Sequence, residues 1–344
     1  MARRLGRRPD LPRPPAAVSA FADAFVDFAV SGIFFPTATA STPSPPTTTT
    51  TTTSPPTTFL PSPLASSPSG TSTEISPSPC AALRLAGLVP PSNGADAPST
   101  SWSAGPTLAL QLGDILDRGG DEIRLLYLLR RSASPPPRGR RAAAHPRNHE
   151  IMNVYGDFRF ATPQGLKEFS AWAAWYRAGL AIKRRCSDLD HPKNPFLGVP
   201  KAFPGIKPEY WDGIRSRLAA LRPDGPIARR FLADLPTVLV VGDSVFVHGG
   251  LLEANVEYGL ERINAEVSEW IRGRGPNAGV PEYVLAETRW SGSGSPRASI
   301  VIAKAGGILG MIPGAKRMIM GHTIQTEGIT AVWRAGGEGG CRIV

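Results

Sequence analysis

The sequence predicts a mixed α/β (α+β) domain, on three observations. An apolar run at 107–112, TLALQL, passes through a polar loop into a helical pattern at 121–131. Two β-branched runs within 237–251, TVLVV and SVFVH, flank Gly242-Asp243. A short apolar run in KRMIMGHTIQ, at 316–325, ends in Gly321-His322. Each run has the length and apolar character of a buried strand, and each presents polar residues at its carboxyl end.

The domain does not fill the chain. Positions 37–73 consist almost wholly of Thr, Ser and Pro, which offer too little apolar surface to offset the entropy of ordering, so a disordered linker is expected there. Residues 1–80 are accordingly read as an N-terminal extension, and 81–344 as the globular domain. Inside the extension, 20–35 (AFADAFVDFAVSGIFF) is too short and too acidic to span a bilayer and reads as an amphipathic helix, so no membrane association is expected. The Arg-rich start followed by a Ser/Thr-rich tract admits an organellar transit peptide to a chloroplast or mitochondrion. The acids and abundant prolines favour the cytoplasm instead. The formal net charge is +10, but the excess Arg is scattered apart from RGRRAAAHPR, and no recognition motif accompanies it, so nucleic acid is not expected as a partner. Cys80, Cys186 and Cys341 lie far apart and form no CxxC pair, so no disulfide framework or structural zinc site is expected and a reducing compartment fits.

Along the domain, 107–112 is the first strand, and DEIRLLYLLRR at 121–131 has apolar positions at helical spacing. A breaker-rich insertion, SASPPPRGRRAAAHPR, separates this helix from NHEIMNV, a loop leading into a helix. An aromatic-rich region follows at 169–182. The runs around Gly242-Asp243 form a hairpin, with His248 at the end of its second strand. The last strand signal delivers His322 in the same way.

The loops collect Asp114, Asp117 and Arg118; Asn148, His149 and Glu150; His248; and His322. Carboxylate, carboxamide oxygen and imidazole suit Mn, Fe or Zn rather than calcium. Two such ions sharing a bridging carboxylate generate hydroxide at neutral pH and clamp the oxygens of an in-line phosphoryl displacement. Arginine supplies the planar fork that reads phosphate oxygens. Taken singly, each motif has a plain structural explanation: a capped turn for GDILDRGG, helix capping for NHE, a glycine turn for HGGL. Their joint occurrence in order is what points to chemistry.

That order resembles the Shewanella-like phosphatases, calcineurin-like metallophosphoesterases of the phosphoprotein phosphatase superfamily. The likeness runs from about 81 to 334 and is carried by LQLGDILDRGGDEIRLLYLLRR, NHEIMNVYGDFRF, GDSVFVHGGLL, YGLERINAEVSEWI and GAKRMIMGHTIQ. It implies a central β-sandwich flanked by helices, and a protein phosphatase (a hydrolase) acting on phosphoserine or phosphothreonine, with phosphotyrosine a further substrate. It also implies two metal ions (Mn, Fe or Zn), with Asp114 bridging them and Asn148, His248 and His322 completing one shell. His149, oriented by Asp117, would protonate the leaving oxygen, while Arg118 and Arg289 would bind phosphate. The implied partner is a phosphorylated protein; a regulatory partner is not identified.

The chain departs from that family in places. The first motif, GDxHG, has no counterpart: its place holds SGTSTEISPSPC, and no histidine precedes His145. One metal ion is then the expected complement, and a fold lacking its first strand is expected. Arg147 stands where the family has glycine, SPPPRGRRAAAH replaces a strand, and the C-terminus is shorter than the family's. These junctions fit a splice or gene-model variant. The alternative function is a catalytically impaired pseudophosphatase that binds phosphorylated partners.

Overall fold

The computed structural model describes residues 14–33, 56–60, 66–69, 87, 108–117, 119–133, 141–144, 148–185, 193–274, 280–289, 304–322, 330–333 and 340–343. In order these form α1 (Pro14–Ser31), β1 (Phe59–Leu60), β2 (Ser66–Ser69), β3 (Leu108–Gln111), α2 (Glu122–Ala133), β4 (Arg141–Ala144), α3 (Asn148–Tyr155) and α4 (Pro163–Arg184). There follow α5 (Trp211–Leu221), β5 (Leu239–Val241), β6 (Ser244–Phe246), α6 (Glu253–Tyr258), α7 (Leu260–Ile271), α8 (Glu282–Arg289), α9 (304–310), β7 (Arg317–Met320), β8 (Thr330–Trp333) and β9 (Gly340–Ile343). Mixed α/β is therefore the observed class.

The chain divides into two compact units, Met1–Thr52 with Ala171–Asn194, and Thr53–Ser170 with Pro195–Val344. In the smaller unit, the helix expected at 20–35 is present as α1, opened by Pro14 and Pro15 where the missing N–H costs nothing. It packs closely on the later turns of α4: a Cβ at Gly179 would lie 2.6 Å from Val26 Cγ2. Lys183 Nζ meets the Asp23 carboxylate at 2.6 Å, and the Phe25 ring stands edge-on to Trp175 at 5.5 Å. No described helix is long and apolar enough to cross a membrane.

The larger unit contains two sheets. One has the order β1-β5-β6-β7-β9-β8; the other is β2-β3-β4, parallel throughout. Side-chain alternation gives the six-stranded sheet two apolar faces. Leu239, Val241, Phe246 and Ile319 pack with Leu110 and Leu112 from and beside β3, so the sheets share one core. The intervening residues Val238, Val240, Val245, Val247, Met318 and Met320 pack on the other side against Leu260, Ile308 and Leu309, among others. The hairpin expected at Gly242-Asp243 is present: β5 and β6 pair antiparallel, with Gly242 at φ 58° making the two-residue turn.

Two expectations are corrected. The core does not lose the strand beside β3, because Ser66–Ser69 pairs there in parallel, Ser67 opposite Ala109. Strand β4, in parallel register on the other side of β3, lies within the insertion where the sequence predicts a lost strand. The reason is common to both. A strand neighbour bonds backbone to backbone, so a Ser- or Ala-rich segment lacking the apolar alternation of a core strand can still complete the ladder. Most of the linker read at 37–73 lies outside the described residues, apart from 56–60 and 66–69, which contain β1 and β2.

Candidate active site

Strands β3, β6 and β7 send their carboxyl ends toward one region, where loops meet the start of α3. Asp114 follows β3, His248 follows β6 and His322 follows β7. Parallel pairing of β6 with β7 sets the two histidine-bearing ends side by side, and the Gly321 N–H donates to the His248 carbonyl at 3.0 Å. Asn148 opens α3, a helix buried along Asn148–Val154.

The four side chains expected as metal ligands therefore converge. His248 Nε2 lies 2.6 Å from Asn148 Oδ1, 3.0 Å from His322 Nδ1 and 3.4 Å from Asp114 Oδ1. That nitrogen can carry one proton, so it cannot donate to all three at once. As the side chains stand, no group of three or more His, Cys, Asp or Glu among the described residues is arranged to hold a metal ion. Two of the separations from His248 Nε2, 2.6 and 3.0 Å, are shorter than the edge of a metal shell. A tetrahedral shell with bonds of roughly 2.0–2.1 Å has edges of roughly 3.3 Å, so small outward movements would open it. One carboxylate, one carboxamide oxygen and two imidazoles fit a single borderline ion.

Glu150 fixes the loop that carries the first of these ligands. Fully buried, its carboxylate accepts the N–H groups of Asp114, Ile115 and Leu116 at 3.2, 2.7 and 2.9 Å. It thereby holds Asp114 at φ 54° and supports a loop that reaches φ 64° at Asp117. Left-handed backbone of this kind costs on the order of 1 kcal/mol per non-glycine residue and clusters at functional sites. His322 shares the feature at φ 71°.

Beside the ligands stands a buried acid-base pair. His149 Nδ1 lies 2.9 Å from Asp117 Oδ2. The same oxygen accepts Asn153 Nδ2 at 2.8 Å, and Asp117 Oδ1 accepts Arg217 Nη2 at 2.7 Å. A carboxylate receiving these donors is an acceptor toward the imidazole too, so Nδ1 carries a proton toward Asp117. Arg217 also donates Nε to Asn153 Oδ1 at 2.6 Å and Nη2 to Glu122 Oε2 at 2.8 Å. Burial pushes the Glu122 carboxyl upward, against the lowering effect of Arg217. Phe160, which is 42% exposed, lies against His149 with ring centroids 5.1 Å apart.

Of the residues singled out in the sequence, Asp114, Asp117, Asn148, His149, His248 and His322 are brought together. Arg118 lies outside the described residues. Arg289 closes α8, which packs against α3, the helix carrying Asn148 and His149. The sequence reading missed the loop-holding role of Glu150 and the participation of Asn153, Glu122 and Arg217. Asn153 had a usable signal, standing one helical turn after His149 on the same face. Arg217 had none, since WDGIRSRLAAL gives no sign that one of its two arginines points into a core.

Comparison with known proteins bears on this arrangement. No family model matches the chain. It is 42% identical over 327 residues to Shewanella-like protein phosphatase 2 of Arabidopsis thaliana, covering 92% of this chain and 78% of that one. Among solved structures, it is similar to the cold-active protein-tyrosine phosphatase of a psychrophilic Shewanella species, with a TM-score of 0.41 and 15% identity over 70% of this chain. A cold-active protein tyrosine phosphatase solved at 1.1 Å gives a TM-score of 0.39 and 16% identity over 65% of this chain. The chain spans 61% and 56% of the length of those two structures, respectively.

Proposed function

The chain belongs to the Shewanella-like protein phosphatases, and from that premise we propose that it is a metal-dependent phosphoprotein phosphatase of calcineurin-like architecture. Its substrates on this reading are phosphoserine and phosphothreonine proteins, with phosphotyrosine also accepted. The observation that carries the reading is the convergence of Asp114, Asn148 and His322 on His248 Nε2, beside the His149–Asp117 pair. The two sheets sharing a core around Leu110, Leu112 and Phe246 support the architecture.

A metal ion held by Asp114, Asn148, His248 and His322 would supply a Lewis acid that acidifies water and offsets phosphate charge. The protein's own residues divide the remaining tasks. Water attacks phosphorus directly, with no phosphoenzyme. As the ester P–O bond breaks, its electron pair stays on the leaving oxygen, which takes the Nε2 proton of the His149 imidazolium, and the proton shed by the attacking water restores that imidazolium. Asp117, accepting from Nδ1–H, holds the ring in the orientation this transfer needs. Arg118 and Arg289 are assigned to the phosphate oxygens as bidentate donors.

The test is manganese-dependent hydrolysis of p-nitrophenyl phosphate by the wild type and His149→Asn. A fall of about 10²-fold or more in the variant is expected, and equal rates would remove His149 from its role. A second reading has its own observation. Strand β2, paired with β3, is Ser-Ser-Pro-Ser and brings neither the aspartate nor the histidine of a GDxHG motif. On that reading the chain is a pseudophosphatase binding phosphorylated partners through Arg118 and one metal ion. Metal counting on the purified protein separates the two: two ions per chain overturn the second reading, while one or none with negligible turnover supports it.

A further inference from the structure

We propose that Arg217 is a positioning residue for phosphate-ester cleavage, acting through Asp117 to hold His149 ready to protonate the leaving oxygen. The inference rests on the phosphatase reading and extends it to a residue that touches neither the phosphate nor the ion site.

Geometry carries the argument. Arg217 is 0% exposed, which is rare for an arginine and requires that its charge be matched within the core. Its guanidinium faces the Phe169 ring at 4.6 Å, and this packing fixes its plane. From that plane Nη2 reaches Asp117 Oδ1 at 2.7 Å while Nε reaches Asn153 Oδ1 at 2.6 Å. Asn153 in turn donates to Asp117 Oδ2 at 2.8 Å, the oxygen that bonds His149. Both Asp117 oxygens are thus pinned, one directly and one through Asn153, and the carboxylate cannot rotate away from the imidazole. Asn153 also donates to the His149 carbonyl at 2.8 Å, tying the bridge to the backbone of the residue it serves. Glu122 Oε2 accepts from the same Nη2 at 2.8 Å.

A residue that merely stabilised the fold would slow all substrates alike. One that positions the proton donor matters most when the leaving oxygen most needs a proton. Ester cleavage places the electron pair of the breaking P–O bond on that oxygen; a dinitrophenolate tolerates the charge, whereas an alkylphenolate does not. Leaving-group dependence therefore separates the two roles.

The experiment uses the full chain with manganese and a series of aryl phosphates, comparing wild type, Arg217→Lys, Asn153→Ala and Asn264→Ala. Lysine keeps the charge but cannot reach Asp117, Asn153 and Glu122 together. Arg217→Lys is expected to lose about 10- to 100-fold in kcat on alkylphenyl phosphate and less than about 3-fold on dinitrophenyl phosphate, with KM little changed. Asn153→Ala, a smaller disturbance of the same bridge, should tilt the dependence in the same direction and covers the case in which Arg217→Lys does not fold. Asn264→Ala, at a buried residue of α7 whose Oδ1 accepts the Thr237 and Val238 N–H groups, should lower stability without tilting it. A second readout needs neither metal nor turnover: the downfield proton resonance of His149 Nδ1–H, hydrogen-bonded to Asp117 in the wild type, should move upfield or broaden in Arg217→Lys. A uniform loss across the series with an unmoved resonance overturns the role of Arg217. A wild type inactive on every aryl phosphate overturns the phosphatase reading, and the inference with it.

Discussion

Glu150 lies beside Asn148 and His149, yet its carboxylate is spent on the backbone of another loop. Three N–H groups of 114–116 end on it, and without that acceptor they would be left unsatisfied around a left-handed aspartate. Glutamine has the same shape but one acceptor oxygen, and its NH₂ would face a backbone N–H. Glu150→Gln is expected to lose on the order of 2 kcal/mol in urea denaturation and to abolish manganese-dependent turnover by releasing Asp114. A variant as stable as the wild type would show that the loop holds itself. At this scale, legibility in the sequence followed chemistry. Asp114, Asn148, His248 and His322 were legible because donor types recur after strand signals in a fixed order. Arg217 was not, because a buried and a solvated arginine look alike in a helix until the fold places Asp117 and Asn153 beside it.

The same division holds for elements. Strands β5, β6 and β7 were legible because alternate residues feed two apolar faces, Val240 to one and Leu239 to the other. Strands β1 and β2 were hidden in Thr-, Ser- and Pro-rich text, since their pairing depends on backbone groups offered by β5 and β3. Helix contacts were hidden for a related reason. Gly165 of α4 sits where a Cβ would meet Glu122 Oε1 at 2.1 Å, so α4 passes directly over the start of α2. One turn further on, Glu168 accepts the Arg124 N–H at 3.1 Å and acts as a cap for α2 supplied by another helix. Burial pushes its carboxyl up to about 7. A carboxyl raised on folding favours the fold at low pH, and that contribution is lost as pH rises from the unfolded value of 4.5 through about 7. Glu168→Gln removes this loss while keeping an acceptor for Arg124. Relative to wild type, the variant should therefore gain on the order of 2 kcal/mol in going from pH 5 to pH 8. Denaturation midpoints at the two pH values test this, and a difference independent of pH would refute it.

Across the whole larger unit, the proposed ligands come from both sheets and from one helix. Asp114 belongs to the three-stranded sheet, His248 and His322 to the six-stranded one, and Asn148 to α3. The sheets are otherwise joined by the apolar core around Leu110 and Phe246, which is non-directional and does not by itself fix the register of one sheet over the other. An ion shared by the four side chains would tie the sheets at their carboxyl edges, so its binding energy would be available to the folded state alone. At a free concentration about 100 times the dissociation constant, this adds about 2.7 kcal/mol. In a domain of this size that corresponds to a rise in Tm of roughly 5–10 °C. Titration with manganese should therefore raise the melting temperature of the wild type and leave His322→Ala nearly unmoved. The same rise in both proteins would place the ion elsewhere, and no rise in either would mean that the four side chains hold each other rather than a metal. Scans at several manganese concentrations also sharpen the count. Linkage to a single site approaches a slope of one ion per chain, whereas a second site would steepen it, and the absence of GDxHG makes a slope of one the expected result.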